Sequence, residues 1–88
     1  MKDFKSKIVW ITGASSGIGE ALVYAFAKAG AKVILSARRE SELQRVAKTS
    51  GLSSENYLLL PFDLMEINSF PEKVEKAIQF GLGLANAN

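Results

Sequence analysis

The strongest constraint on this chain is a change of period at a glycine-rich turn. Lys7-Ile8-Val9-Trp10-Ile11-Thr12 is a compact β-branched and aromatic run, the pattern of a strand buried on both faces. It passes into Gly13-Ala14-Ser15-Ser16-Gly17-Ile18-Gly19. Beyond the turn, Ile18, Ala21, Leu22, Ala25, Phe26 and Ala29 recur at helical spacing and Gly30 follows, which predicts a helix of about three turns with one apolar face. Glycines between a strand and a helix let the backbone turn sharply and approach a ligand, while the unpaired N–H groups of the helix's first turn face that same space. Such a turn suits a phosphate.

The rest of the chain supplies the sheet that this turn needs. Lys32-Val33-Ile34-Leu35-Ser36 reads as a second buried strand. A helix follows with Leu43, Val46 and Ala47 on its apolar face, Ser41 and Gln44 spaced as a capping box, and Ser50-Gly51 at its end. Ser53 to Asn56 is a loop, and Tyr57-Leu58-Leu59-Leu60 a third strand stopped by Pro61. Ser69-Phe70-Pro71-Glu72 opens a last helix whose Phe70, Val74, Ala77 and Ile78 share one face and which Gly81 closes. Strand and helix alternate throughout, with no repeat or low-complexity segment. The expected architecture is α/β, a doubly wound parallel sheet, partial, in the strand order 3-2-1 with helices on both faces. Residues 1–81 form that unit, and 82–88 are expected to be an irregular tail.

Composition removes several kinds of chemistry. With no Cys and no His, these residues offer no thiolate, disulfide, imidazole base or ordinary zinc site. The charge is uneven: residues 1–50 hold nine Lys or Arg against four Asp or Glu, and residues 51–88 hold two against five. Phosphates belong with the basic half. That excess lacks the clustered stripe and interleaved aromatics of a nucleic-acid surface, so no nucleic-acid partner is expected. No run approaches the ~20 apolar residues of a membrane span and the opening residues lack a secretory signal, so a cytoplasmic location is expected.

The glycine spacing is Gly-x-x-x-Gly-x-Gly, with Glu20 where a triphosphate-binding loop requires Lys. A dinucleotide is the better fit, its diphosphate at the turn. At the end of the second strand a free ribose 2′-hydroxyl calls for an acidic acceptor, whereas a 2′-phosphate calls for Arg. Here the residues are Ala37, Arg38 and Arg39. Planar guanidinium forks match phosphate oxygens, so NADP is the expected cofactor. The competing reading is an Arg pair on a solvated helix start, paired with Glu40 or Glu42.

Thr12-Gly13-x-x-x-Gly17-x-Gly19, Ser36-Ala37-Arg38-Arg39-Glu40 and Asp63-Leu64 together resemble the short-chain dehydrogenases/reductases over nearly the whole chain. The resemblance implies a Rossmann-type fold and a cofactor-binding role for Gly13, Ser15, Ser16, Gly17, Ile18, Gly19, Arg38, Arg39, Asp63 and Leu64. Ser15 and Ser16 would approach the adenosine ribose, Ile18 the cofactor, and Asp63 with Leu64 the adenine. Family members that prefer NAD carry Asp at the place resembling Ala37. The implied activity is hydride transfer between nicotinamide and a small-molecule carbonyl or alcohol substrate, in a protein expected to form a homo-oligomer.

The family's catalytic spacing, Tyr-x-x-x-Lys, occurs at Tyr24 and Lys28, on the helix after the turn. It falls opposite the apolar stripe and is expected to be solvated and not catalytic. The family's catalytic Ser and its Tyr-Lys pair lie beyond Asn88, so the chain is expected to be the cofactor-binding part and inactive alone. The tail Gly81-Leu82-Gly83-Leu84-Ala85-Asn86-Ala87-Asn88 departs from the fourth strand and Asn-Asn-Ala-Gly of the family, so no role passes to Asn86 or Asn88. Without that strand, strand one is an open edge. A non-catalytic nucleotide-binding or assembly module is the alternative function, and an epimerase or dehydratase of the related extended group a third.

Overall fold

The computed structural model describes residues 3–63 and 67–81. Strands β1 (Ile8–Thr12), β2 (Lys32–Ser36) and β3 (Tyr57–Leu59) form a parallel sheet in the order β1-β2-β3. Helices α1 (Gly17–Lys28), α2 (Glu40–Ser50) and α3 (Phe70–Gly81) follow the strands in turn, with a 3-10 turn at Ile67–Ser69 ahead of α3. This is the partial doubly wound α/β arrangement expected, read from the far edge as 3-2-1. Among the described residues β1 is an edge strand. Residues 82–88, expected as a tail, lie outside the described ones.

Strand alternation sends successive side chains to opposite faces. On one face, Ile11, Val33 and Leu35 meet Val23 of α1 and Leu43, Val46 and Ala47 of α2. On the other, Ile34 and Leu58, with Leu60 just past β3, meet Phe80 and Ala77 of α3. Helices therefore cover both faces. The ammonium of Lys32 lies 5.6 Å from the centre of the Phe80 ring, and the Phe4 ring meets Phe26 edge-on at 5.1 Å, fastening the amino-terminal segment to α1.

Four local expectations are corrected by this packing. β1 is not buried on both faces: Ile8 and Trp10, on the α3 side, are exposed, because α3 packs over β2 and β3. The amino-terminal part of the α1 stripe, at Ile18 and Leu22, does not meet the sheet, although Phe26 farther along it packs against the core. Ile18 is 80% exposed and Leu22 is exposed too, whereas Val23 is fully buried; α1 packs on β1, β2 and α2 and leaves its Ile18 side open. α2 begins at Glu40 after Arg39, whose side chain makes no cap bond, so Ser41 lies inside the first turn and no capping box forms. The acids Glu40 and Glu42 in that turn complement the helix dipole instead. In α3, Val74 and Ile78 are exposed and Phe80 is the buried anchor, since Ala77 and Phe80, three residues apart, reach the Ile34-Leu58-Leu60 cluster.

Candidate functional site

Parallel strands bring their carboxyl ends to one edge of the sheet, where open α/β folds bind ligands. Beyond those ends lies an open cleft of about 530 Å³. Thr12, Gly13, Ser15 and Ser16 wall it from the β1 side; Ser36, Ala37, Arg38 and Arg39 from the β2 side. Glu42 of α2 and, after β3, Phe62 and Asp63 complete it.

The turn after β1 is shaped by its glycines. Gly13 and Gly17 have φ of 64° and 59°, the left-handed region that crowds any Cβ against a carbonyl. At Gly19 the constraint is contact: a Cβ there would collide with the Gly13 carbonyl oxygen and stand 2.7 Å from its carbon. The turn thus lies directly on the first turn of α1. The Ala14 N–H donates to the Ser36 carbonyl at 3.0 Å, tying the turn to the end of β2. Ser16, the residue before α1, is extended and makes no side-chain cap bond. The N–H groups of the first helical turn have no helical acceptor and carry the positive end of the helix dipole, so the backbone can offer an anion a cradle, whose Gly13 side a Cβ at position 19 would displace.

The floor is fixed from β2. Ser36 is buried, and its hydroxyl accepts the Trp10 indole N–H at 2.8 Å. The Phe62 N–H donates to the Ala37 carbonyl at 3.0 Å, and the Phe62 and Trp10 rings lie 6.4 Å apart. Ala37 brings no polar side chain to the cleft, and the guanidiniums follow. Arg38 stands 3.9 Å from the Asp63 carboxylate with 78% of its side chain exposed, a loose pair of the kind that contributes little. Neither glutamate expected as a rival partner is bonded to Arg38 among the described residues; Glu42 is bonded to Arg45 at 3.1 Å.

Gly13, Ser15, Ser16, Arg38, Arg39 and Asp63, all singled out from the sequence, line the one cleft. Gly17 and Gly19 shape the backbone beside it. Ile18 projects into solvent and is not part of the lining, and Leu64 lies outside the described residues. Sequence reasoning missed Arg45. Its Nη2 donates to the Ser15 carbonyl at 3.1 Å, its Nη1 and Nη2 reach Glu20 at 3.2 and 3.3 Å, and its Nε reaches Glu42 at 3.1 Å. Only the Glu42 contact has a local spacing that the sequence displays.

Tyr24 corrects another expectation. It is half-buried against the α1–α2 core and its hydroxyl donates to Glu20 at 2.5 Å, so it is only partly solvated. That bond raises the phenol above its ordinary pKa, whereas Arg45 first and Tyr24 second lower the Glu20 carboxyl; the hydrogen bonds that Arg45 donates to Glu20 and Glu42 raise Arg45. A proton-transferring tyrosine needs the opposite shift, toward the working pH. Among the described residues there is no cluster of metal ligands and no helix long and apolar enough to cross a membrane.

Comparison with known proteins matches the geometry. The family model described as short chain dehydrogenase matches residues 7–83. Dehydrogenase/reductase SDR family member 7 of Homo sapiens is 42% identical over 76 residues, covering 82% of this chain and 22% of that protein. The Dehydrogenase/reductase SDR family protein 7-like of Anopheles gambiae is 42% identical over 83 residues, covering 89% of this chain and 26% of its own. The chain therefore spans about a quarter of the length of these curated relatives. Among solved structures, a short-chain dehydrogenase/reductase of Brucella melitensis superposes with a TM-score of 0.82 at 27% identity, over 91% of this chain and 34% of that one. A 3-ketoacyl-(acyl-carrier-protein) reductase of Brucella melitensis complexed with NADH superposes at 0.78 and 35% identity, over 90% and 32%.

Proposed function

The chain belongs to the short chain dehydrogenase family, and from that premise we propose that these residues bind NADP as the coenzyme-holding part of an oxidoreductase. The supporting observation is the cleft itself: a glycine cradle at its β1 side and, at its β2 side, Ala37 followed by Arg38 and Arg39. The amides of the Gly13–Gly19 turn hold the diphosphate, and Ser15 and Ser16 lie beside the adenosine ribose. Arg38, with Arg39 next to it, takes the 2′-phosphate. Asp63 borders the adenine, with Arg38 loosely beside it.

A bound nicotinamide supplies a hydride acceptor or donor for a carbonyl or alcohol substrate. These residues bind and orient; they do not transfer the proton. The single Tyr-x-x-x-Lys spacing in the 88 residues is Tyr24-Lys28, and its phenol is engaged with Glu20. Proton transfer accordingly falls to residues outside this cleft. The neighbour complexed with NADH supports a nicotinamide coenzyme, and the basic pair favours the phosphorylated form.

Calorimetric titration of wild type and Arg38→Ala with NADP and NAD tests the assignment. Wild type is expected to prefer NADP. Loss of one charge-assisted, hydrogen-bonded contact, worth about 1.5–3 kcal/mol, weakens NADP binding by roughly 10- to 100-fold and leaves NAD nearly unchanged. Equal affinity of wild type for both coenzymes, or equal weakening of both by Arg38→Ala, overturns the proposal.

A further inference from the structure

The cleft that is to receive a 2′-phosphate contains an acid. Glu42 lines it together with Arg38 and Arg39, and a bare carboxylate there opposes a group carrying nearly two negative charges. Its charge is answered from behind by Arg45, which does not itself line the cleft. The Arg45 guanidinium is committed on every nitrogen: Nε to Glu42 at 3.1 Å, Nη1 to Glu20 at 3.2 Å, and Nη2 to Glu20 at 3.3 Å and the Ser15 carbonyl at 3.1 Å. Tyr24 donates to the same Glu20 carboxylate. The planar fork of Arg matches such a set, four of its five N–H donors being engaged, and Glu20, held by Tyr24 and the fork, keeps it in place.

One side chain thus touches both walls of the cleft, the Ser15 backbone on the β1 side and Glu42 on the α2 side. We propose that Arg45 is a positioning residue that sets coenzyme choice, holding Glu42 in an ion pair so that the cleft accepts a 2′-phosphorylated adenosine. This rests on the NADP reading of Arg38 and Arg39. Removing Arg45 has two separable effects. Loss of the Ser15 bond loosens the turn and weakens every adenine nucleotide alike; release of Glu42 acts on the 2′-phosphate alone.

The test titrates the full 88-residue chain calorimetrically with adenosine 2′,5′-bisphosphate and with adenosine 5′-monophosphate, and reads the ratio of the two affinities. Arg45→Met is expected to lower that ratio roughly fivefold, the size of one solvent-screened charge acting across about 4 Å. Adding Glu42→Gln to Arg45→Met restores most of it. A merely structural Arg45 would weaken both ligands equally, and Glu42→Gln would not recover the ratio. If wild type shows no preference for the bisphosphate, the NADP reading falls and this inference with it. If wild type prefers it and Arg45→Met keeps the preference, or the double variant fails to regain it, only the Arg45 inference is overturned. Should Arg45→Met not fold, Arg45→Gln takes its place and is read by the same ratio and the same rescue by Glu42→Gln: a lowered and rescued ratio supports the inference, an unchanged or unrescued one overturns it.

Discussion

Replacing Gly19 with Ala sets two effects of known size against each other. Gly19 lies within α1, where Ala is favoured over Gly by about 1 kcal/mol; propensity alone forecasts a more stable protein. The added methyl, however, collides with the Gly13 carbonyl oxygen, stands 2.7 Å from its carbon and 3.2 Å from the Ala14 Cα. These obstacles are backbone, not the yielding end of a side chain. Overpacking costs about 1–3 kcal/mol where side chains give way, so an unyielding obstacle places the cost at ~3 kcal/mol and the net loss at ~2 kcal/mol. For a domain of this size that lowers Tm by roughly 8–16 °C. Thermal unfolding followed by circular dichroism measures it, and NADP titration at low temperature should show weakened binding, because the displaced atoms belong to the cradle. A Gly19→Ala protein as stable as wild type, or more so, refutes the claim that the turn is pressed onto α1.

Other outcomes follow from the core, the ion network and the sheet edge. Leu43→Ala empties a fully buried site between α2 and the sheet and is expected to cost about 2–5 kcal/mol, visible as a lowered urea midpoint; a change below ~1 kcal/mol would contradict that packing. Glu20 has its pKa lowered from 4.5, so its contribution to stability is complete above that value and lost as pH falls through the folded pKa. Acid unfolding of Glu20→Gln should lack that component, and superposable acid profiles would count against the network. Tyr24 has its pKa raised from 10.0, so its contribution is present below pH 10.0 and lost as pH rises through the folded value; the ultraviolet difference titration of wild type minus Tyr24→Phe should show a phenol ionising above 10.0. β1 is an edge among the described residues and carries the exposed Ile8 and Trp10. The chain is therefore expected to self-associate, and a sedimentation mass that stays monomeric at rising concentration would refute this.

Much of the scaffold was legible because its signals are local. The β-branched runs at 8–12 and 32–36 and the glycines at 13, 17 and 19 depend on neighbours close in sequence, and the parallel order follows from alternation of strand and helix. Which side of a helix meets the sheet is not local. α1 is apolar on two sides, and periodicity does not tell the one bearing Val23 from the one bearing Ile18. The same holds for α3, where Phe80 is the anchor although Val74 and Ile78 fit the helical pattern equally well. Within the cleft, residues on the strand ends were legible from their position relative to the glycine turn. Arg45 was not: its partners Ser15 and Glu20 are thirty and twenty-five residues away, and only the fold brings them to one guanidinium. Tyr24 differs: its acceptor Glu20 is only four residues away, and what the sequence hides is the packing against the core shared with α2.

The bond from the Trp10 indole to Ser36 gives the chain an optical reporter of its own. Trp10 is the single tryptophan, and its Nε1–H rests on a hydroxyl of the cleft floor at 2.8 Å, near the Phe62 ring. Indole emission responds to the polarity of its surroundings, and its light overlaps the absorption of a reduced nicotinamide. Ligand arrival at the strand ends should therefore be readable as a quench or colour shift, without attaching any label.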